Sequence, residues 1–163
     1  MIKKIFVTTF IFFAIISKLV AMEPDVFVQS TVNRASSLLS DNLSKKEKIK
    51  KLKLIAKDTV DIQGIGFYTL GSKRKTLNEK QKSEYSKLFE EYFLKSFSSR
   101  LAEYTNPKIN VYDKKKLSEK YTMVYSTLES TSERPEVKID WRIYTKNPDN
   151  PLIRDLFGFL VYI

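Results

Sequence analysis

The sequence predicts an α+β fold, in which N-terminal helices pack on one face of an antiparallel sheet of roughly four strands. Up to Pro107, apolar residues recur three and four positions apart, which is the spacing of helices with one buried face. After Pro107, apolar and polar residues alternate, as they do in strands with one covered and one wet face. With 163 residues, the chain is long enough for one domain with a core and too short for two.

Residues 1 to 21 predict a secretory signal peptide. A basic start precedes an apolar run over residues 5 to 16, and Ala21 is the expected last residue before the cut. A run of about a dozen apolar residues is short for a membrane span, although an uncleaved N-terminal anchor stays open as the alternative. Cleavage removes three lysines and no acid, so the formal net charge falls from +10 to +7. We therefore expect residues 22 to 163 to form one basic exported domain, which favours anionic lipid or an acidic protein over nucleic acid as its partner.

The first two helices are predicted from apolar stripes and a capping motif. A helix that starts near Pro24 has one stripe, made of Val28, Val32, Ala35 and Leu39. The sequence SKKE, at residues 44 to 47, has the form of a capping box and opens a second helix. The buried side of this helix is formed by Ile49, Leu52 and Ile55 or Ala56. Its seven lysines between positions 45 and 57 are expected on a solvated face.

Two further helices follow. The third is predicted over about residues 61 to 70, and the fourth begins at the sequence TLNE, where Thr76 caps and Glu79 reaches back. Eight apolar or aromatic residues of the fourth helix are expected on one face: Tyr85, Leu88, Phe89, Tyr92, Phe93, Phe97, Leu101 and Tyr104. Since this face is larger than a small core needs, we expect part of it to line a cavity.

Four strands are predicted after Pro107, over residues 108 to 113, 121 to 128, 137 to 144 and 151 to 157. The third shows the clearest alternation. Its expected buried face consists of Val137, Ile139, Trp141 and Ile143, and its wet face of Lys138, Asp140 and Arg142. The segments SERPE and KNPDNP have the composition of turns and separate the strands.

Three of the chain's four glycines lie close together, at Gly64, Gly66 and Gly71. Their spacing is not that of a dinucleotide loop, and Gly71 is followed by Ser72 and Lys73 instead of the Lys and Ser or Thr of a Walker loop. We interpret Gly64 and Gly66 as sites of close helix packing. Gly71 is expected to end the third helix in the left-handed conformation.

The absence of Cys and His restricts the chemistry available to this chain. It excludes disulfides, thiolate chemistry, Ser-His and Cys-His nucleophile pairs and the common zinc sites. We expect no enzyme activity, no cofactor and no metal.

The order of several segments resembles the MlaC family, also called the toluene-tolerance family, of periplasmic phospholipid carriers. The segments are VDIQGIGFYTLG, TLNEKQKSEYSKLFEEYFLKSFSSRL, VKIDWRIY and LIRDLF, and the similarity covers roughly residues 24 to 157. The resemblance implies a periplasmic carrier that shuttles phospholipid between an outer-membrane lipoprotein complex and an inner-membrane ABC transporter with an MCE protein. It also implies that the acyl chains lie between the helices and the sheet, and we expect a monomer.

From this resemblance and the apolar pattern, twelve residues are expected to contact lipid: Ile62, Ile65, Phe67, Leu88, Phe89, Tyr92, Phe93, Phe97, Val124, Ile139, Trp141 and Ile143. Where the family usually has aromatic residues this chain has Ser72 followed by Lys73, Arg74 and Lys75, and these three cations are expected to hold an anionic headgroup. The chain also ends in FGFLVYI instead of continuing into C-terminal helices, so we expect a truncated or frameshifted end. An exported adaptor that binds a protein without lipid stays open as the alternative function.

Overall fold

The structure, a computed structural model, describes residues 22 to 158. Four α-helices come first: α1 (Pro24–Ser40), α2 (Lys45–Thr59), α3 (Ile62–Thr69) and α4 (Glu79–Leu101), with a 3-10 turn, Gly71–Lys75, before α4. Four strands follow: β1 (Ile109–Ser118), β2 (Tyr121–Leu128), β3 (Val137–Tyr144) and β4 (Leu152–Phe157). This arrangement confirms the predicted α+β class. The predicted signal peptide and residues 159 to 163 lie outside the described part of the chain.

The strands form one antiparallel meander in the order β1-β2-β3-β4. Inward positions of β2 and β3 are fully buried, including Val124, Ile139 and Ile143, whereas the alternate positions are half-buried or exposed. The predicted alternation is therefore confirmed. The first strand is longer than predicted, because it continues to Ser118 through a run of exposed charged residues at the sheet edge. Such residues show no alternation, and lysines on an edge strand discourage pairing with other chains.

The helix starts show one confirmed capping box and one that is shifted by two residues. At α2, Ser44 and Glu47 cap each other as predicted. At α4 the prediction of Thr76 and Glu79 is wrong, since Asn78 and Gln81 exchange the two capping hydrogen bonds at 2.9 and 3.0 Å. The hydroxyl of Thr76 instead donates to the Lys73 carbonyl at 2.9 Å, which closes the 3-10 turn before the helix.

The helices cover one face of the sheet and share its core. Buried side chains from α1, α2, α3 and α4 pack against the inward residues of β2, β3 and β4. A smaller cluster of Leu38, Leu39 and Leu52 joins α1 to α2 beside it. Within residues 22 to 158, no helix combines the length and apolarity that a bilayer span requires.

Candidate functional site

An apolar cavity of about 70 Å³ lies between the helices and the inner face of the sheet. It is bounded by the second half of α1, by α2, by the C-terminal end of α4 and by inward residues of all four strands. The residues that line it are Thr31, Val32, Ala35, Ser36, Leu39, Leu52, Ile55, Ala56, Thr59, Val60, Phe97, Leu101, Tyr104, Pro107, Ile109, Leu128, Trp141, Ile153 and Leu156. None of these residues is charged, so the cavity suits a hydrocarbon guest.

The walls of the cavity combine short and long side chains. Ala35 and Ser36 on α1 and Ala56 on α2 are the short ones on the helix side. On the sheet side, Trp141 contributes its large indole surface, and its Nε1 donates to the hydroxyl of Ser126 at 2.8 Å. Because the polar edge of the indole is satisfied within the sheet, the ring leaves no unpaired donor towards the cavity.

The volume of the cavity limits what it holds in this conformation. An apolar cavity of about 150 Å³ in another protein binds benzene, and the cavity here has less than half that volume, about 70 Å³. An acyl chain therefore enters only if the helices and the sheet move apart. The walls that meet here are apolar, so such a movement exposes hydrocarbon surface that a guest chain covers again.

Most of the predicted lipid contacts lie in the core beside the cavity. Phe97 and Trp141 line the cavity itself. Ile62, Val124, Ile139 and Ile143 are buried in the main core, and Ile65, Phe89 and Phe93 pack against that core. Phe67 is half-buried on α3. The structure thus brings nine of the twelve residues into or against one helix–sheet interface, to which Phe67 does not belong, and their contact with lipid stays a prediction.

The other two, Leu88 and Tyr92, are 58% and 69% exposed, so the prediction that they share the inner face of α4 is wrong. A row of aromatic rings at steps of four residues occupies that face instead. Ring centroids from Tyr85 to Phe89, Phe89 to Phe93 and Phe93 to Phe97 are 5.8, 6.2 and 5.3 Å apart. Leu88 and Tyr92 each precede a ring of this row by one residue, which turns them by about 100° towards solvent.

The predicted headgroup residues lie far from the cavity. Lys73, Arg74 and Lys75 are exposed on the 3-10 turn before α4, and none of them lines the cavity. The cavity meets α4 at Phe97, which is 18 residues, or about 27 Å of helix, beyond the first residue Glu79. A headgroup held by these cations would therefore sit at the opposite end of α4 from the cavity.

The helix α3 packs tightly against its neighbours through its glycines, as predicted. A Cβ atom on Gly66 would lie 2.8 Å from Cδ1 of Phe89. A Cβ on Gly64 would lie 2.5 Å from Oδ2 of Asp61 and 2.6 Å from Cζ of Arg154. Gly71 has a φ of 56°, which confirms the left-handed conformation after α3.

The ion pair between Asp61 and Arg154 is a feature that the sequence reading missed. The two side chains are only 17% and 25% exposed. Asp61 also caps α3 by accepting from the backbone N–H of Gly64 at 2.8 Å, and the Arg154 guanidinium lies 4.8 Å from the centroid of the Tyr144 ring. Because the partners are 93 residues apart, no local spacing could have revealed the pair, although a lone Asp before a helix is a recognised cap.

The described residues contain no cluster of carboxylates that could hold a metal ion.

The family model described as MlaC protein matches residues 29 to 157. The fold is also similar to a solved phospholipid-binding protein from Ralstonia solanacearum in complex with a phospholipid, with a TM-score of 0.69 and 14% identity over 85% of this chain and 79% of that chain. No curated protein matches this chain. Because the family model spans most of its length, the chain belongs to the MlaC family of periplasmic phospholipid-binding proteins, which are carriers and not enzymes.

Proposed function

We propose that this chain is a periplasmic phospholipid carrier, exported by a cleavable signal peptide over residues 1 to 21. The observation that carries the proposal is the uncharged cavity between the helices and the sheet of an MlaC fold. The similar Ralstonia solanacearum protein was crystallised with a phospholipid, which supports the same class of ligand here. The carrier works as a monomer and shuttles lipid between an outer-membrane lipoprotein complex and an inner-membrane ABC transporter with an MCE protein.

The physical need for such a carrier follows from the cost of exposing a lipid tail to water. Each CH2 costs about 0.8 kcal/mol, so a sixteen-carbon chain costs on the order of 12 kcal/mol. The carrier must offset this cost, yet it must also release the lipid. A cavity that is nearly closed without cargo meets both needs, because closure of the walls compensates for the loss of the acyl chain on release.

Lipid that co-purifies with the protein tests the proposal. The chain is exported with its own leader, released from the periplasm without detergent, and analysed by native mass spectrometry. We expect a population heavier than the apoprotein by the mass of one phospholipid. An exported adaptor that binds only a protein would carry no lipid and would keep its partner in the presence of added lipid, and this result would overturn the proposal.

A further inference from the structure

A polar groove of about 430 Å³ adjoins the cavity and shares part of its wall. It is formed by residues 103 to 108, after α4, and by residues 128 to 134, after β2. Three residues, Tyr104, Pro107 and Leu128, line both the cavity and the groove. The groove therefore lies within reach of the polar end of an amphiphile whose chain lies in the cavity.

The charges in the groove are mixed. It is lined by three carboxylates, Glu103, Glu129 and Glu133, and by two cations, Lys108 and Arg134. Glu103 and Glu129 have cationic partners, since Lys45 and Lys108 lie 2.5 and 3.9 Å from them. Glu133 and Arg134 form no ion pair with any residue between 22 and 158, so one carboxylate and one guanidinium remain for a ligand.

Arg134 is held at the junction between groove and cavity. Its guanidinium carbon lies 4.5 Å from the centroid of the Tyr104 ring, and Tyr104 lines both spaces. The loop that carries it is braced, because Thr131 N donates to the Arg134 carbonyl at 2.8 Å and Glu129 N donates to the Lys108 carbonyl at 2.9 Å. The Arg134 side chain is otherwise exposed, and its guanidinium, stacked on Tyr104, offers a planar set of donors that matches a phosphate.

We propose that this groove binds a zwitterionic phospholipid headgroup, in which Arg134 holds the phosphate and Glu133 holds the ammonium group. The inference deepens the proposed function and depends on it. It replaces the site expected at Lys73, Arg74 and Lys75, which is separated from the cavity by most of α4. The groove has no excess of positive charge, so it discriminates against a purely anionic headgroup, whereas a headgroup with both charges satisfies Arg134 and Glu133 together.

Lipid uptake from mixed vesicles tests the headgroup site. Wild-type protein and variants are incubated with vesicles of equimolar phosphatidylethanolamine and phosphatidylglycerol, reisolated, and analysed by native mass spectrometry. We expect wild type to prefer phosphatidylethanolamine, and Arg134→Gln to retain at least about tenfold less of both lipids, as the loss of charge-assisted hydrogen bonds implies. For Glu133→Gln, we expect the preference to fall towards equal uptake of the two lipids.

Two controls separate the headgroup from the chain and from folding. Fluorescence of the neutral dye N-phenylnaphthylamine, which needs only the apolar cavity, should be equal in wild type and Arg134→Gln. The triple variant K73Q, R74Q and K75Q should retain lipid as wild type does. The headgroup site would be overturned if wild type and Arg134→Gln retained equal amounts of phospholipid, or if the triple variant lost as much phospholipid as Arg134→Gln does. The proposed function would stand in either case. Absence of lipid uptake by wild type would overturn the proposed function as well.

Discussion

Two adjoining regions of the helix–sheet interface are built in opposite ways. In one, which we call the closed end, Asp61, Gly64, Gly66, Phe89 and Arg154 pack so tightly that one added carbon atom on either glycine has no room. In the other, the open end, a cavity lies between α1, α2 and Trp141 of the sheet. The same two layers are thus locked together in one region and separated by spare volume in the other.

The difference indicates how a guest enters without unfolding the domain. The closed end is also tied by a main-chain hydrogen bond, in which Asp61 N donates at 2.9 Å to the carbonyl of Ile153, a residue of β4 that borders the cavity. Separation of the layers therefore costs least beside the cavity, whose walls are apolar and uncharged. We expect α2 and the cavity-lining second half of α1 to move away from the sheet while α3 and β4 stay in contact.

Removal of the ion pair at the closed end is the largest expected loss. We predict that Arg154→Met lowers the free energy of unfolding by about 2 to 3 kcal/mol, since it leaves a largely buried Asp61 carboxylate without its cation. Urea denaturation measures the loss. Arg142→Met is the matched control, because its contact with Asp155 is 3.5 Å long and both side chains are over a third exposed, so it should cost less than about 1 kcal/mol. Equal losses would show that the closed end is no more constrained than the rest of the sheet.

A methyl group on Gly64 is the next largest perturbation. The atoms that it meets belong to the ion pair itself, so we predict that Gly64→Ala displaces Arg154 and costs about 1 to 2 kcal/mol despite the better helix propensity of Ala. In the Arg154→Met background, Gly64→Ala should cost less, because one of the two charged groups that the methyl meets, the Arg154 guanidinium, is absent. Urea denaturation of the four proteins gives the coupling, and additive losses would contradict this account of the glycine.

A similar change at the open end should have little effect on stability. We predict that Ala35→Leu changes the free energy of unfolding by less than about 1 kcal/mol, since the added carbons enter an existing cavity. It should nevertheless reduce the amount of co-purified phospholipid, which native mass spectrometry measures. Ser37→Leu, two positions along α1 and exposed, serves as the control with unchanged lipid. Full lipid loading of Ala35→Leu would show that the guest does not use this cavity.

The sequence predicts the buried faces of α1 and β3 better than the buried face of α4. The helical stripe of α1 and the alternation in β3 each have a single dominant period, so their inner faces could be predicted. On α4, apolar residues occur at steps of both three and four, and the pattern could not show that Leu88 and Tyr92 face solvent. The aromatic row from Tyr85 to Phe97 marks the buried face, and this depends on the core and on α3, against which the row packs.

The cavity and the ion pair could not be predicted, for different reasons. The cavity is lined by residues of three helices and four strands, and a sequence shows the size of a side chain without showing which residues face it. The ion pair joins Asp61 to Arg154 across the fold. A sequence pattern predicts that charged residues lie at the edge of the core, and it does not identify their partners. Both features depend on tertiary contacts that have no local period.

The smallest predicted effect concerns how α1, one wall of the cavity, is attached at its start. Gln29 exchanges two hydrogen bonds with the backbone of β1, and Lys114 contacts Glu23 and Asp25 at 2.6 and 2.7 Å. Burial acts to raise the pKa of Asp25. The hydrogen bonds that its carboxylate accepts from Lys114 and from the backbone of Asp25 itself outweigh burial and lower the pKa below the ordinary 3.8. Hydrogen bonds to Asp25 and Glu23 raise the pKa of Lys114 above 10.5.

These shifts define the pH range in which the contact stabilises the fold. The contribution of Asp25 to stability is present above pH 3.8 and is lost as the pH falls through its lower pKa in the folded state. The contribution of Lys114 is present below pH 10.5 and is lost as the pH rises through its higher pKa in the folded state. We predict that Lys114→Met costs less than about 1 kcal/mol near neutral pH, because both side chains are about one third exposed. Urea denaturation should show that this difference from wild type disappears well below pH 3.8, while Lys115→Met, an exposed neighbour, differs from wild type at neither pH. A difference in the free energy of unfolding between Lys114→Met and wild type that persisted in acid would contradict this account. It would show that the start of α1 is held by packing and by Gln29, and not by the ion pairs of Lys114.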